Sequence, residues 1–100
     1  MVQIIRTKEY ASWNLSLRDD RAKAKIALRV DRLALGNPGD VRPVGGGLSE
    51  MRIDYGPGYR VYYGKHGDNV ILLLCGGTKD GQSRDIRKAK ALFVKWKTSK

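Results

Sequence analysis

Arg52, Arg60, Tyr62 and Lys79 are spaced so that one surface could carry all four. An arginine guanidinium is a planar fork of N–H donors that matches phosphate oxygens, and a tyrosine beside it can stack a base or hydrogen-bond a phosphate. The chemistry of such a set is recognition of a phosphate and stabilisation of negative charge developing on it. Met51-Arg52-Ile53-Asp54-Tyr55 and Tyr59-Arg60-Val61-Tyr62-Tyr63 alternate apolar and polar residues. Alternation marks strands with one buried face, and Gly56-Pro57-Gly58 between them marks a hairpin. A symmetrical three-residue loop sets Tyr55 opposite Tyr59, Ile53 opposite Val61 and Met51 opposite Tyr63. On the other face Asp54 then pairs with Arg60 and Arg52 with Tyr62. A one-residue slip would drive the arginines into the core, so the pattern holds the register. Arg60 could serve only as a cross-strand ion pair with Asp54, or Asp54 could orient Arg60 for a functional role.

The elements that must position this platform follow from the rest of the chain. Val2 to Thr7 reads as a short first strand, and Glu9 to Leu17 as a helix with Tyr10, Trp13 and Leu17 on its core face. Asp19 and Asp20 stand where a second helix begins, a favourable place for acids. That helix carries an apolar stripe of Ala22, Ile26, Val30 and Leu33 and a basic stripe of Arg21, Lys25, Arg29 and Arg32, and stops at Gly36 before Pro38. The basic stripe is either a solvated face or a contact for phosphate or an acidic partner. Asn37 to Gly47 reads as a flexible glycine- and proline-rich connector. Its Gly45-Gly46-Gly47 lacks the ending of a phosphate-cradling P-loop and leads into a strand, which excludes that reading.

After the hairpin, Gly64 to Asn69 has turn composition, and its His66, the one histidine, reads as a surface residue far from Gly56-Pro57-Gly58. Val70 to Cys75 is continuously apolar, as a strand covered on both faces would be. Gly76-Gly77-Thr78-Lys79 leads out of it, so Lys79 follows a strand of the same sheet and can converge on Arg52 and Arg60. Ser83 is the expected N-cap of a last helix. Its apolar face holds Ile86, Ala89, Phe93 and Trp96, and its remainder is basic through Arg84, Arg87, Lys88, Lys90, Lys95 and Lys97.

One hundred residues, 41% of them hydrophobic, suit one folded domain spanning 1–100. The first residues hold too short an apolar run for a signal peptide, and the longest apolar run falls far short of a membrane span. A single cysteine forms no internal disulfide, fitting a reducing cytosol; Cys75 reads as a small core residue. With one histidine besides, the usual structural metal ligand sets are out of reach, so no cofactor is expected. Lysine and arginine number 20 against 10 acids, a net charge of +10 that points to a polyanionic partner.

The order strand, helix, helix, three strands, helix, on a small basic chain, resembles the RelE/ParE toxin superfamily, above all its HigB-like addiction module killer branch. MRIDYGPGYRVYY, VILLLCGGTK and SRDIRKAKAL carry the resemblance, and Gly58-Tyr59-Arg60 is its most specific unit. The resemblance implies a cytoplasmic toxin of a type II toxin–antitoxin system that cuts mRNA on the ribosome and so inhibits translation. It implies a metal-free reaction in which the 2′-hydroxyl attacks the adjacent phosphate. It also implies a cognate antitoxin, often a helix-turn-helix DNA-binding protein, with operator DNA reached only through the antitoxin complex and no membrane partner. The family's basic residues carry over to Arg52, Arg60 and Lys79. The tyrosine or histidine that some members place near the C-terminus is missing, which leaves Asp85 as the nearest polar candidate for proton transfer. RNA contact falls to Tyr62, to Arg84 and Lys88 on the last helix, and to Arg21 and Lys25 on the second.

The expected fold is α+β: a small antiparallel sheet with two N-terminal helices on one face and a C-terminal helix at the other face or edge. Two rival functions share it. One is ParE-like inhibition of DNA gyrase by binding, without RNase chemistry, which the missing acid/base residue favours and the arginine and lysine set disfavours. The other is a basic nucleic-acid-binding module with no toxicity.

Overall fold

The computed structural model describes residues 2–99. Its elements are β1 (Gln3–Arg6), α1 (Lys8–Ser16), α2 (Asp20–Ala34), β2 (Val41–Gly45), β3 (Leu48–Ile53), β4 (Tyr59–His66) and β5 (Val70–Thr78), then a 3-10 turn (Lys79–Gly81) and α3 (Gln82–Thr98). The α+β class and the placing of the helices hold. The sheet is larger than expected and mixed: its order is β1-β5-β4-β3-β2, with β1 parallel to β5 and the other pairs antiparallel. Helices α1 and α2 take the chain across one face, from the β1 edge to the opposite edge at β2. No helix among the described residues is long and apolar enough to cross a membrane.

The helices start where side chains satisfy free N–H groups. Thr7 Oγ1 accepts from the Tyr10 amide (3.1 Å) and donates to the Leu73 carbonyl (2.8 Å), which ties the start of α1 to β5. Asp19 Oδ1 accepts from the amides of Arg21 (2.9 Å) and Ala22 (3.2 Å) at the start of α2. Ala22, Ile26, Val30 and Leu33 bury the expected stripe of α2 against Met51, Ile53, Val61 and Tyr63 on one face of the sheet. On the other face, Ala89 and Phe93 of α3 cover Leu48, Tyr62, Leu72 and Leu74. Trp13 and Trp96 pack against these two cores, and His66, at the exposed end of β4, meets the Trp96 ring edge-on at 5.1 Å.

β4 runs on through Gly64, Lys65 and His66, where the composition reads as a turn, and pairs them with Leu72, Ile71 and Val70. Three further local expectations are corrected. The connector at 37–47 contains β2, antiparallel to β3. Pro43 masked it, yet proline is compatible with an edge strand, where a missing N–H costs no ladder bond. Ser83 is not the N-cap of α3: the helix begins at Gln82, with Gly81 at the cap and no side-chain capping bond. The 3-10 turn already bends the chain into the helix, one residue ahead of the serine.

The third correction is the hairpin register. Ile53 pairs with Tyr59, Arg52 with Arg60, Met51 with Val61 and Glu50 with Tyr62. The loop thus spans the five residues from Asp54 to Gly58, with the Gly58 amide donating to Tyr55 O (3.1 Å). Gly56 and Gly58 adopt φ of 56° and 81°, a region that residues with a Cβ rarely enter. Tyr55 leaves the strand, and Lys25 of α2 lies 5.2 Å over its ring. The shift is two residues, an even number, so each side chain keeps its expected face while its partner changes.

Cys75 is buried, and burial pushes its thiol up to about 11. At pH 8 it stays protonated and sealed, so Ellman's reagent is expected to react only after the protein unfolds. Rapid labelling of the native protein would contradict this placement.

Candidate functional site

The end of the sheet beyond the N-terminus of α3 holds an open cleft of about 460 Å³, lined by Asp40, Arg52, Asp54, Gly56, Pro57, Gly58, Arg60 and Lys79. The three cations expected to converge do so here. Arg52 on β3 and Arg60 on β4 are direct cross-strand partners, and Gly77 on β5 continues the row. Lys79 enters from the turn after β5. Its amide donates to Gly58 O at 2.9 Å, which docks this cation onto the hairpin loop.

Like charges directly opposite each other destabilise a ladder, and here one acid flanks each arginine. Arg52 donates through Nε (3.2 Å) and NH2 (2.7 Å) to Asp40 Oδ1, and its own amide bonds the Asp40 carbonyl at 2.9 Å. The Arg52 guanidinium holds the Asp40 carboxyl below the usual carboxylate range. Arg60 lies with Nε 3.9 Å from Glu50 Oε2 and its side chain 12% exposed. Lys79 makes no ion pair among the described residues, so of the three cleft cations Arg60 and Lys79 are the two not held by a hydrogen-bonded carboxylate. Asp54 sits past the end of β3 on the cleft wall rather than opposite Arg60, so the expected cross-strand pair is absent. Arg29 of α2 braces the floor from behind, donating to the carbonyls of Arg52 (2.7 Å) and Pro38 (3.1 Å).

Tyr62 is corrected more sharply. It was expected on the open platform, but α3 covers it and it is fully buried. It cannot stack a base there. Its hydroxyl donates to Glu50 Oε2 at 3.1 Å, and burial together with the Glu50 charge pushes its pKa well above the usual value. Tyr62→Phe is expected to lower stability by about 1–2 kcal/mol, read as a lower urea midpoint, because it removes a buried donor from a carboxylate. An unchanged midpoint would show the bond to be energetically silent.

Asp85 lies under the first turn of α3, buried against the backbone of Gly77, outside the lining of the cleft. Its neighbour Arg84 is exposed, with Nε 3.7 Å from Asp85 Oδ1, and Lys88 is exposed one turn along α3. Arg21 and Lys25 are exposed on α2, across the sheet. Lys25 lines a separate depression with Leu28, Arg29, Arg32, Ile53 and Asp54, and Asp54 is the residue it shares with the cleft. Among the described residues no group of three or more His, Cys, Asp or Glu stands ready to ligate a metal.

Glu50, Gln82, Arg42 and Asp40 were not among the expected site residues. Glu50 is fully buried and accepts from Arg42 Nε (3.0 Å), Tyr62 Oη (3.1 Å) and Gln82 Nε2 (2.7 Å). Alternation offered the signal: positions 48, 50 and 52 share a face, and an acid between a core leucine and a platform arginine is out of place in a dry layer.

No family model matches the chain. An uncharacterized protein of Haemophilus influenzae is 47% identical to it over 91 residues, which make up 91% of this chain and 92% of that protein.

Proposed function

We propose that this chain, which belongs to the same family as that Haemophilus influenzae protein, is a RelE/ParE-type toxin of the HigB-like branch that cuts mRNA on the ribosome. The observation that carries the reading is the meeting of Arg52, Arg60 and Lys79 around one open cleft on a chain of net charge +10. In the proposed reaction the 2′-hydroxyl gives its proton to solvent water and its oxygen attacks the adjacent phosphorus. The bond to the 5′-oxygen breaks, and that oxygen takes up a proton from solvent water. The products are a 2′,3′-cyclic phosphate and a 5′-hydroxyl. Charge builds on the non-bridging oxygens, where the Arg60 fork and the Lys79 ammonium stabilise it. Arg52 contributes through the part of its fork left free by Asp40.

The reading includes a cytoplasmic location and an antitoxin of helix-turn-helix type that brings the complex to operator DNA. An acidic antitoxin segment over the cleft would neutralise the arginines. Antitoxin binding that is insensitive to salt would contradict a mainly electrostatic clamp. The test of the enzyme is in vitro translation with mapping of message ends. New 5′ ends are expected with the native protein on translating ribosomes, and intact messages would overturn the reading.

One observation favours the gyrase-binding alternative: the cleft lining contains no histidine, tyrosine or cysteine, and Asp85 is buried outside it. A supercoiling assay separates the two. Inhibition of gyrase at near-stoichiometric protein, with no RNA cut, would reverse the ranking.

A further inference from the structure

We propose that Glu50 is a positioning residue for the cleft, a sealed carboxylate that sets the direction in which Arg60 presents its guanidinium. The inference rests on the endonuclease reading above. Glu50 has no exposed surface, so it cannot touch a substrate and acts only through its neighbours. The groups around it are donors: Arg42 Nε on Oε1, and Tyr62 Oη and Gln82 Nε2 on Oε2. An acceptor-only carboxylate suits that shell. These donors come from β2, β4 and the first residue of α3, so one carboxylate draws three elements together directly behind the cleft.

Arg60 is the member of this group that reaches the cleft. Its Nε faces Glu50 Oε2 at 3.9 Å, too far for a hydrogen bond yet close enough for strong attraction in a poorly solvated layer. That Nε is buried and has no hydrogen-bond partner. The guanidinium therefore stays in place by attraction to the carboxylate, by packing, and by one long hydrogen bond that NH1 donates to the Tyr59 carbonyl at 3.5 Å. Gly77, its neighbour on β5, offers no side chain to hold it. Without the Glu50 charge, the carboxylate left to attract Arg60 is that of Asp40, already held by Arg52, while Arg52 repels it across the ladder. Arg60 would then swing out of register with Lys79.

A double-mutant cycle on RNA binding tests this. The probe is a 5′-fluorescein-labelled 12-nucleotide oligouridine, read by fluorescence anisotropy. Glu50→Gln keeps the shape and removes the charge. It is expected to weaken binding about tenfold in the native background and less than about twofold in the Arg60→Ala background, because its effect passes through Arg60. Two losses that simply multiply would overturn the proposal while leaving the cleft reading intact.

A second measurement needs no RNA. The Arg60 Nε–H NMR resonance is expected to exchange slowly with water in the native protein and rapidly in Glu50→Gln. Slow exchange in both would overturn the proposal. The exchanged pair Glu50→Gln/Gln82→Glu keeps one carboxylate in the same layer and covers the case in which the single variant does not fold. It is expected to bind the probe within about threefold of native. A folded exchanged pair as weak as Arg60→Ala would count against Glu50. If the native chain neither binds nor cuts RNA while the NMR result is as expected, the hold on Arg60 stands and the endonuclease reading falls.

Discussion

Under the endonuclease proposal, Arg60→Ala is expected to lower the rate of message cleavage on translating ribosomes by about 10²–10³-fold, the usual loss when one preorganised donor to a developing oxyanion is removed. The expectation rests on where Arg60 sits. Its side chain is 12% exposed, so little solvent competes for the face turned to the cleft. Its neighbour Arg52 is already engaged by Asp40 at 2.7 Å and cannot fully substitute. Arg60→Lys is expected to recover only part of the rate, since a single ammonium cannot present two parallel donors to a phosphate. Glu50 keeps its three hydrogen-bond donors in Arg60→Ala, so the fold should survive with a stability change of about 1 kcal/mol. The measurement is primer extension on a translated message, with unfolding midpoints run in parallel. A folded Arg60→Ala that cuts as fast as native removes Arg60 from the reaction.

Gly76→Ala is expected to destabilise the protein by about 2–3 kcal/mol, a fall of roughly 10 °C or more in Tm for a chain of this size. Successive residues of a strand face opposite sides, and α1 and α3 use this pair of glycines from the two sides. A Cβ on Gly76 would run into the Trp13 ring, and one on Gly77 into the Asp85 carboxylate. The ring is stiff, lies tilted 5.8 Å from Tyr10 and has little room to retreat, so the cost at Gly76 should be full. Asp85 sits on the first turn of α3, which can shift a little, so Gly77→Ala should cost less in stability. Under the same proposal it should still disturb cleavage, because Gly77 is the β5 partner of Arg60 and Gln82 holds Glu50 from the same turn of α3. Thermal melts by circular dichroism check both. A Gly76→Ala protein melting at the native temperature would mean that α1 does not rest on β5 as described.

What the sequence by itself determined was which face each residue takes. Apolar and polar residues alternate through 51–55 and again through 59–63, and any odd slip would bury arginine, so Arg52 and Arg60 had to share a face whatever the loop did. The 3.6-residue stripe of α2 and the unbroken apolar run of β5 were legible for the same reason, because local periodicity reports burial. The basic charge and the placing of Lys79 just after a strand belong with them.

The tertiary structure alone decided who meets whom. Parity is blind to a two-residue shift, so the exchange of Arg52–Tyr62 for Arg52–Arg60 left no trace in the pattern. Tyr62 and Arg60 share a face, yet α3 covers the first and stops short of the second. The boundary between dry core and open cleft therefore lies where Gln82 starts the helix, a matter of packing between segments about twenty residues apart. Glu50 lies on that boundary, and its four neighbours come from elements that only the folded sheet brings together.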